Sequence, residues 1–343
     1  MPKEKIITAI DIGSTKISTI VAAVSENKVS VIGVSGNVQS KGIDKGKVVD
    51  IDSAVEAISE SLDRAERMAG VSVSSAFVTV NGSHIQCLNS HGVVAVAQTP
   101  NSEISSSDVE RVIDAAQAVS LPSTREIVHV IPSDFIVDSQ EGIKDPIGMQ
   151  GVRLEVETNV IHAASIAMRN IVRCVSQVGV NVEEIVYTGV ASAEAVLTDT
   201  EKELGTLLVD IGGGTTSMIA YINGSPVYSA VLPIGGRYIT TDLTIGLRAR
   251  LEDAEKIKLK LSNDKEILKL KDRKSEEFDV SEFGLDTPTV PLPLLYKIIE
   301  ARLEEIFRLI ALEVAKAGLT GKLPAGLVPV SYTHLTLPTI LLV

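Results

Sequence analysis

The sequence has no tryptophan, and aromatic residues make up only 3% of it. Its core must therefore be built from Val, Ile, Leu and Ala, which suits parallel or mixed sheets covered by helices. Basic residues do not dominate either. Lys and Arg number 32 against 44 Asp and Glu, a formal net charge of −12. No Lys/Arg cluster stands out, so no nucleic-acid partner is expected. The acidic balance favours basic or metal-bridged partners. Cysteine is nearly absent: Cys87 and Cys174 make no disulfide framework, and a reducing cytosol is the natural setting. Met1-Pro2-Lys3-Glu4-Lys5 runs directly into a strand-like segment, without a signal peptide's apolar core or cleavage site. No stretch approaches the ~18 uncharged apolar residues of a spanning helix. A soluble, cytoplasmic chain is expected. His84, His91, His129, His162 and His334 are scattered without metal-ligand spacing, so packing or surface roles are expected of them and of the cysteines. Lys144 and Arg153 read as solvated charges.

What is present is a succession of apolar β-branched runs and helical periods, with room for two or three domains. Residues 6–12, 17–24 and 28–33 read as strands, the first two joined at Gly13-Ser14. Ser53-Ala54-Val55-Glu56 has the form of a capping box. It opens a helix with Val55, Ile58, Leu62, Ala65 and Ala69 on one face. Residues 76–80 read as a strand stopped by Asn81-Gly82. Between 84 and 161 short strands such as residues 92–97 alternate with Ser-rich loops, and Ser107-Asp108-Val109-Glu110 predicts a helix start. This stretch reads as an inserted small α/β domain; if it serves self-association, its removal should spare the nucleotide cleft. Residues 170–178 read as a helix ended by Gly179, and residues 207–211 and 217–222 as strands. Residues 250–274 are charged and helical, and residues 285–293 are a Pro-rich connection. Leu295, Ile299, Leu303, Ile306, Ile310 and Val314 mark one long amphipathic helix. Residues 330–343 continue no earlier pattern and read as translated adapter sequence, a non-native tail set aside here. With Pro338 and no Lys or Arg, they offer no amphipathic anchor, and the chain is expected to stay off anionic liposomes.

The informative feature is an internal repeat. Ala9-Ile10-Asp11-Ile12-Gly13-Ser14-Thr15 and Leu208-Val209-Asp210-Ile211-Gly212-Gly213-Gly214-Thr215 share one layout. Each is a buried strand ending in Asp, then Ile-Gly, then a turn of small residues, then a returning strand. Glycine lets backbone N–H groups crowd around phosphate oxygens. Ser and Thr add short hydroxyl donors. An Asp at the strand end can hold hydrated Mg²⁺, which keeps several of its waters. Two such hairpins face to face would clamp a polyphosphate at strand ends, where open α/β sheets bind ligands. Either copy alone reads equally well as an ordinary hairpin turn. No GxxxxGK[ST] loop is present. Gly212-Gly213-Gly214 leads into a strand and not a helix, so it is no dinucleotide fingerprint.

These motifs resemble the phosphate-1 and phosphate-2 loops of the actin, Hsp70 and sugar-kinase superfamily. The wider resemblance, over nearly the whole chain to about Val328, is to the FtsA family of bacterial cell-division actin homologues. It rests on Gly42-Ile43-Asp44-Lys45-Gly46, Val128-His129-Val130-Ile131-Pro132, Gln140-Glu141-Gly142-Ile143-Lys144-Asp145-Pro146-Ile147-Gly148 and Gly189-Val190-Ala191-Ser192-Ala193. The run from Gly205 to Gly214 and Asp253-Ala254-Glu255-Lys256-Ile257-Lys258 match as well. The stretches inside the inserted region single out this family, because other superfamily members carry different insertions.

The resemblance implies an actin-like (ribonuclease H-like) two-lobed ATPase fold of α/β class, with the inserted small α/β domain in the first lobe. The first-lobe core would be 1–83 and 162–201, and the insert 84–161. The second-lobe core would be 202–240 and 295–329, with its subdomain at 241–294. ATP and Mg²⁺ are the implied cofactors. Asp11, Gly13, Ser14, Thr15, Lys16, Asp210, Gly212, Gly213, Gly214, Thr215 and Thr216 would hold the phosphates, with Mg²⁺ bound through water by Asp11 and Asp210. Gly235 and Gly236 would lie near the nucleotide, or else form a simple turn after Pro233. Glu255 and Lys258 would line the ribose and adenine. Their i, i+3 spacing puts both on one helix face, where such a pair is otherwise a solvated salt bridge. No catalytic residue is singled out. Hydrolysis is at most slow, and nucleotide acts as a conformational switch.

Implied partners are FtsZ, other divisome proteins, and further copies of the chain in filaments built through the inserted subdomain. The full-length protein would also touch the cytoplasmic face of the cell membrane at the division site. Family members continue after Leu323-Pro324-Ala325-Gly326 into a strand and a Gly-Gly adenosine loop; here Pro329 and the tail are expected in their place. The alternative is another superfamily ATPase: a pilus-assembly adaptor, a chaperone or a sugar kinase. Neither a sugar site nor a long C-terminal peptide-binding domain is visible, and a pilus homologue leaves the matches at 128–148 unexplained.

Overall fold

The computed structural model describes residues 5–25, 28–96, 103–263, 277–285 and 287–330. The chain opens with a meander, β1 (Lys5–Ile12), β2 (Lys16–Ser25) and β3 (Lys28–Val34), paired antiparallel. Short strands β4 (Val38–Gln39), β5 (Ile43–Asp44) and β6 (Lys47–Val48) lead into helix α1 (Ile51–Ala69) and strand β7 (Ser75–Val80). β7 runs parallel to β1 on the side away from β2. Alternate residues of these strands point to one face. Ile10, Ile12, Ile17, Val78 and Val80 pack there with Ala54, Ile58 and Leu62 of α1, as the period-2 and period-3.6 patterns require. The start of α1 differs from expectation. Asp50 is the N-cap, and its side chain accepts from the Ser53 N–H. Ser53 is already the third helical residue, so the box proposed at Ser53–Glu56 does not form.

Residues 86–164 supply β8 (Gln86–Ala95), α2 (Ser106–Gln117), β9 (Arg125–Val137), β10 (Gln140–Ile143) and β11 (Arg153–Ala164). The strands are long, not short as expected: β8, β9 and β11 have 10, 13 and 12 residues. Register shifts at Glu157/Thr158 and Ile161/His162 break the alternation that would reveal a strand of this length. The cap of α2 is Ser105, two residues before the expected Ser107. Its hydroxyl accepts from the Asp108 N–H, while the Asp108 carboxylate accepts from the Ser105 N–H at 2.9 Å. These Ser105 bonds, with help from Arg111, hold the Asp108 carboxyl at about 2, against an ordinary 3.8. A depressed folded-state value stabilises the fold above 3.8, and that contribution is lost as pH falls toward about 2. Asp108→Asn should therefore flatten part of the acid limb of an unfolding-versus-pH curve. An unchanged limb would remove Asp108 from that role.

Helix α3 (Ser165–Gln177) follows β11 directly, five residues before the expected start, and adds Met168, Ile171 and Cys174 to the α1 core. β12 (Asn181–Tyr187), unexpected from the sequence, completes the first sheet in the order β12-β7-β1-β2-β3. Helices α4 (Thr188–Val196) and α5 (Asp199–Leu204) then lead to β13 (Thr206–Ile211), β14 (Thr216–Ile222) and β15 (Ser225–Leu232). These three strands and β8–β11 belong to one eight-stranded sheet, joined where Ala230 of β15 pairs with Gln86 of β8. Side chains reinforce the seam. The Ser225 hydroxyl donates to Ser133 O at 3.2 Å, Cys87 Sγ accepts from the Ser229 N–H at 3.1 Å, and Lys144 Nζ donates to Asn223 O at 2.5 Å, while toward the first sheet His129 Nε2 accepts from the Tyr187 N–H at 2.9 Å. The stretch 84–161 is therefore joined to both sheets by backbone and side-chain contacts. Its loss would open the edge of β15 and strip Tyr187 of a partner.

The remaining chain builds a largely helical layer. α6 (Gly236–Leu247), α7 (Leu251–Asn263), the hairpin β16 (Glu277–Asp279) with β17 (Thr289–Pro291), and α8 (Leu292–Lys316) share a core around Ile239, Ile257, Leu295 and Leu303. Part of the expected Pro-rich connection is thus strand β17. Pro293 sits in the first turn of α8, where no N–H is missed. Residues 264–274 of the charged stretch lie outside the described residues. β18 (Leu327–Val330) pairs parallel with β13, setting Val330 opposite Asp210. The expected replacement of this strand is corrected: Pro329 is tolerated because β18 is the edge strand. Val330, expected in the tail, belongs to the sheet, and residues 331–343 lie outside the described residues. Among the described residues no helix is long and apolar enough to cross a membrane.

Candidate functional site

The two repeated hairpins have the same turn. The Gly13 N–H donates to Lys16 O at 3.1 Å, and the Gly212 N–H donates to Thr215 O at 2.9 Å. The flanking pairs are Ile12 with Ile17 and Ile211 with Thr216. The turns come from opposite sheets and meet tip to tip. A Cβ added to Gly213 would lie 1.6 Å from Thr15 Oγ1, and one added to Gly214 would lie 3.0 Å from Ser14 Oγ. The Ser14 hydroxyl accepts from the Gly46 N–H at 3.0 Å, which ties the β5–β6 turn to the same place.

Helix α6 fixes which way the second turn faces. Its first N–H groups, of Gly236 and Arg237, donate to Gly212 O at 2.9 Å and Gly213 O at 2.8 Å. In a trans peptide the N–H points opposite to the C=O. The N–H groups of Gly213 and Gly214 therefore point away from α6. Gly235 must be glycine for this approach, since a Cβ there would lie 2.4 Å from Gly212 O. Gly235 and Gly236 thus lie against the second turn and are no plain connection. Glu255 and Lys258 of α7 come to the same helix end. Lys258 is buried, and its ammonium donates to Glu255 at 2.6 Å and to Thr240 Oγ1 at 2.8 Å. Burial lowers its pKa, with Glu255 opposing. The pair is therefore not the solvated surface bridge that its spacing also permits.

Asp11 and Asp210 end equivalent strands and feel each other electrostatically. Burial raises the Asp11 carboxyl most, a Thr79 hydrogen bond opposes this, and the Asp210 charge raises it further. Asp210 is buried and accepts from Ser192 Oγ of α4 at 3.2 Å. Lys16 is exposed at the start of β2, and its charge acts on Asp11. Thr215 is buried at the second turn. Thr216 turns aside: it is fully buried and its hydroxyl donates to Ile234 O at 2.8 Å. Among the described residues no group of three or more His, Cys, Asp or Glu could hold a metal by itself.

Sequence reading missed Thr79, Asn81 and Ser192. Only the Asn81-Gly82 turn signal and the stretch containing Ser192 were noticed, and neither pointed to the turns. Among the histidines, His129 packs as an acceptor. His84 is buried, and burial and the nearby Lys47 and Arg125 lower it to about 4, so it stays neutral.

Residues 82–162 match the family model described as the SHS2 domain inserted in FtsA, and residues 207–318 match that of cell division protein FtsA. The chain is 40% identical over 327 residues to the cell division protein FtsA of Pseudomonas aeruginosa, covering 94% of this chain and 76% of that protein. Against the Bacillus subtilis FtsA it is 40% identical over 331 residues, covering 96% and 73%. Against the Escherichia coli K12 protein it is 33% identical over 333 residues, covering 94% and 78%. Among solved structures, a chain of the PilM–PilN type IV pilus biogenesis complex superposes with a TM-score of 0.61 at 15% identity, covering 96% of this chain and 83% of that one. MreB5 of Spiroplasma citri bound to ADP superposes at 0.51 and 12%, covering 95% and 84%. At such identities the likeness shows the fold alone.

Proposed function

The chain belongs to the FtsA family of cell-division proteins and has an actin-like α/β fold with an inserted SHS2 domain, and from that premise we propose that it binds Mg-ATP between its two glycine hairpins. The observation that carries the reading is the tip-to-tip meeting of the hairpins, with Gly213 and Gly214 packed against Thr15 and Ser14 and their N–H groups turned away from α6. The residues fit the ligand. The second tip has no side chains at Gly212 to Gly214, the first carries only the short hydroxyls of Ser14 and Thr15, and such donors suit a polyphosphate. Two neighbouring carboxylates that repel each other are the arrangement a divalent cation relieves. Mg²⁺ would neutralise phosphate charge while keeping its waters, with Asp11 and Asp210 in its outer shell. Gly235, Gly236, Glu255 and Lys258 would form the nucleoside side of the site. MreB5 of Spiroplasma citri has structures bound to ADP and AMPPNP, which supports a nucleotide in this fold.

In this reading nucleotide is a switch more than a substrate. Closing both hairpins on one polyphosphate would fix the relation of the two sheets and so favour a polymerising state. The lobes would follow the partition 1–83 with 162–201, 84–161, 202–240 with 295–329, and 241–294. The chain would act in the cytoplasm, assemble through the inserted subdomain and bind FtsZ and other divisome proteins, while contact with the membrane at the division site would belong to the full-length protein. Calorimetric titration with Mg-ATP, followed by turnover with and without added sugars, tests the reading. One saturable site with slow, sugar-independent turnover is expected. Sugar-stimulated turnover would make it a kinase, and no saturable binding would sink the nucleotide reading. Electron microscopy should show filaments with Mg-ATP and fewer without it.

A further inference from the structure

The far end of β7 reaches both hairpins. Thr79 and Asn81 are two residues apart, so they share one face of the extended chain. Thr79 lies beside β1. Its hydroxyl accepts from the Ile12 N–H at 3.1 Å and donates to Asp11 Oδ1 at 2.7 Å. A hydroxyl has one proton, and both neighbours fix its direction: an N–H can only donate and a carboxylate can only accept. Asn81 crosses to the other sheet. Its amide nitrogen donates to Thr215 Oγ1 at 3.3 Å, and its Oδ1 accepts from Ser217 Oγ at 2.9 Å and from the Gly82 N–H at 2.8 Å. The Gly82 N–H sets the amide orientation, because only the oxygen can accept from it. Thr215 and Ser217 lie on the returning side of the turn that carries Gly213 and Gly214, and both are buried. A Cβ on Gly46 would lie 2.5 Å from Asn81 O, so the β5–β6 turn that touches Ser14 is seated on the same residue.

We propose that Thr79 and Asn81 are the positioning residues of this site: Thr79 aims the Asp11 carboxylate, and Asn81 ties the second hairpin to the first sheet so that both tips address one polyphosphate. The proposal rests on the Mg-ATP reading and adds to it. Neither residue touches the ligand. Thr79 holds Asp11 at 2.7 Å, and Asn81 holds the second hairpin chiefly through Ser217 at 2.9 Å, with a longer contact of 3.3 Å to Thr215. The two act differently. Thr79 works through the carboxylate and hence through the metal. Asn81 works through the geometry of the second turn, and hence with or without metal.

The test is calorimetry of ATP binding by the full chain, in Mg²⁺ and in EDTA, with a thermal melt for each variant. Thr79→Val keeps the shape and loses the hydroxyl. It should weaken binding about tenfold in Mg²⁺ and leave binding in EDTA unchanged, while Thr79→Ser should stay within about twofold of wild type. Asn81→Ala should weaken binding about tenfold in both conditions. Its effect should shrink in a Thr215→Val background, where one of its two contacts to the second hairpin is already broken, so the two losses fall short of additive. Asn81→Asp keeps the acceptor and loses the donor to Thr215. It serves if Asn81→Ala does not fold, and a similar loss is expected. Thr79→Ala serves in the same way for Thr79→Val. Wild-type affinity in these variants, equal losses with and without Mg²⁺ at Thr79, or additive losses at Asn81 and Thr215 would overturn the proposal and leave the nucleotide reading standing. Absence of Mg-ATP binding by the wild-type chain would overturn both.

Discussion

Gly213→Val is expected to weaken Mg-ATP binding by at least about a hundredfold, or roughly 2.7 kcal/mol. The reason is contact, not backbone strain. A single added Cβ would already lie 1.6 Å from Thr15 Oγ1 and 2.8 Å from Thr15 Cβ. Valine adds two further carbons to that collision. The turn cannot retreat easily, because Gly212 O and Gly213 O are held by the N-terminus of α6. The first hairpin is also braced, through Ser14 and the Gly46 N–H. The tips would be forced apart and the phosphate-facing N–H groups shielded. A compensating pair separates this collision from general damage. Gly213→Ala should weaken binding, and Thr15→Gly in the same chain should restore part of it. Calorimetry and a thermal melt decide. Wild-type affinity in folded Gly213→Val would remove the hairpin tips from the site.

Asp210→Ala is expected to weaken Mg-ATP binding by about ten- to a hundredfold by removing a carboxylate from the metal's outer shell. The same change should strengthen ATP binding in EDTA, because a negative charge beside the phosphates has gone. That opposite sign is the diagnostic. A variant that merely damaged the fold would lose affinity in both conditions. Some destabilisation is expected as well, since Ser192 loses its acceptor beneath a buried position, at a cost of about 1–3 kcal/mol. Asp210→Asn keeps the acceptor and most of the volume. It should recover the stability without recovering the Mg²⁺ dependence. Both variants binding Mg-ATP like wild type would dismiss the metal role of Asp210.

The features that could be read directly are those whose physics is local. Alternating burial in β1, β2 and β7 follows from period-2 patterning, and α8 follows from apolar residues three and four apart. The repeated Asp-Ile-Gly turn could be recognised because strand, glycine and hydroxyl lie within seven residues of one another, so their chemistry is written in consecutive letters. Capping was read two or three positions late at α1 and α2. Several Ser and Asp residues compete for each helix start, and only the final backbone path selects Asp50 and Ser105.

Longer-range features had no such signal. Thr79 lies 68 residues from Asp11, and Asn81 lies 134 from Thr215. A lone Thr or Asn near a strand end is common; the pairing of β7 with β1 gives Thr79 its partner, and the approach of the two sheets gives Asn81 its own. The joining of β8 to β15 has the same origin, because one backbone pair between distant strands leaves no pattern in either. The direction of the Gly213 and Gly214 N–H groups is likewise a tertiary outcome. The glycines permit many orientations, and the N-terminus of α6 selects one by binding the carbonyls behind them.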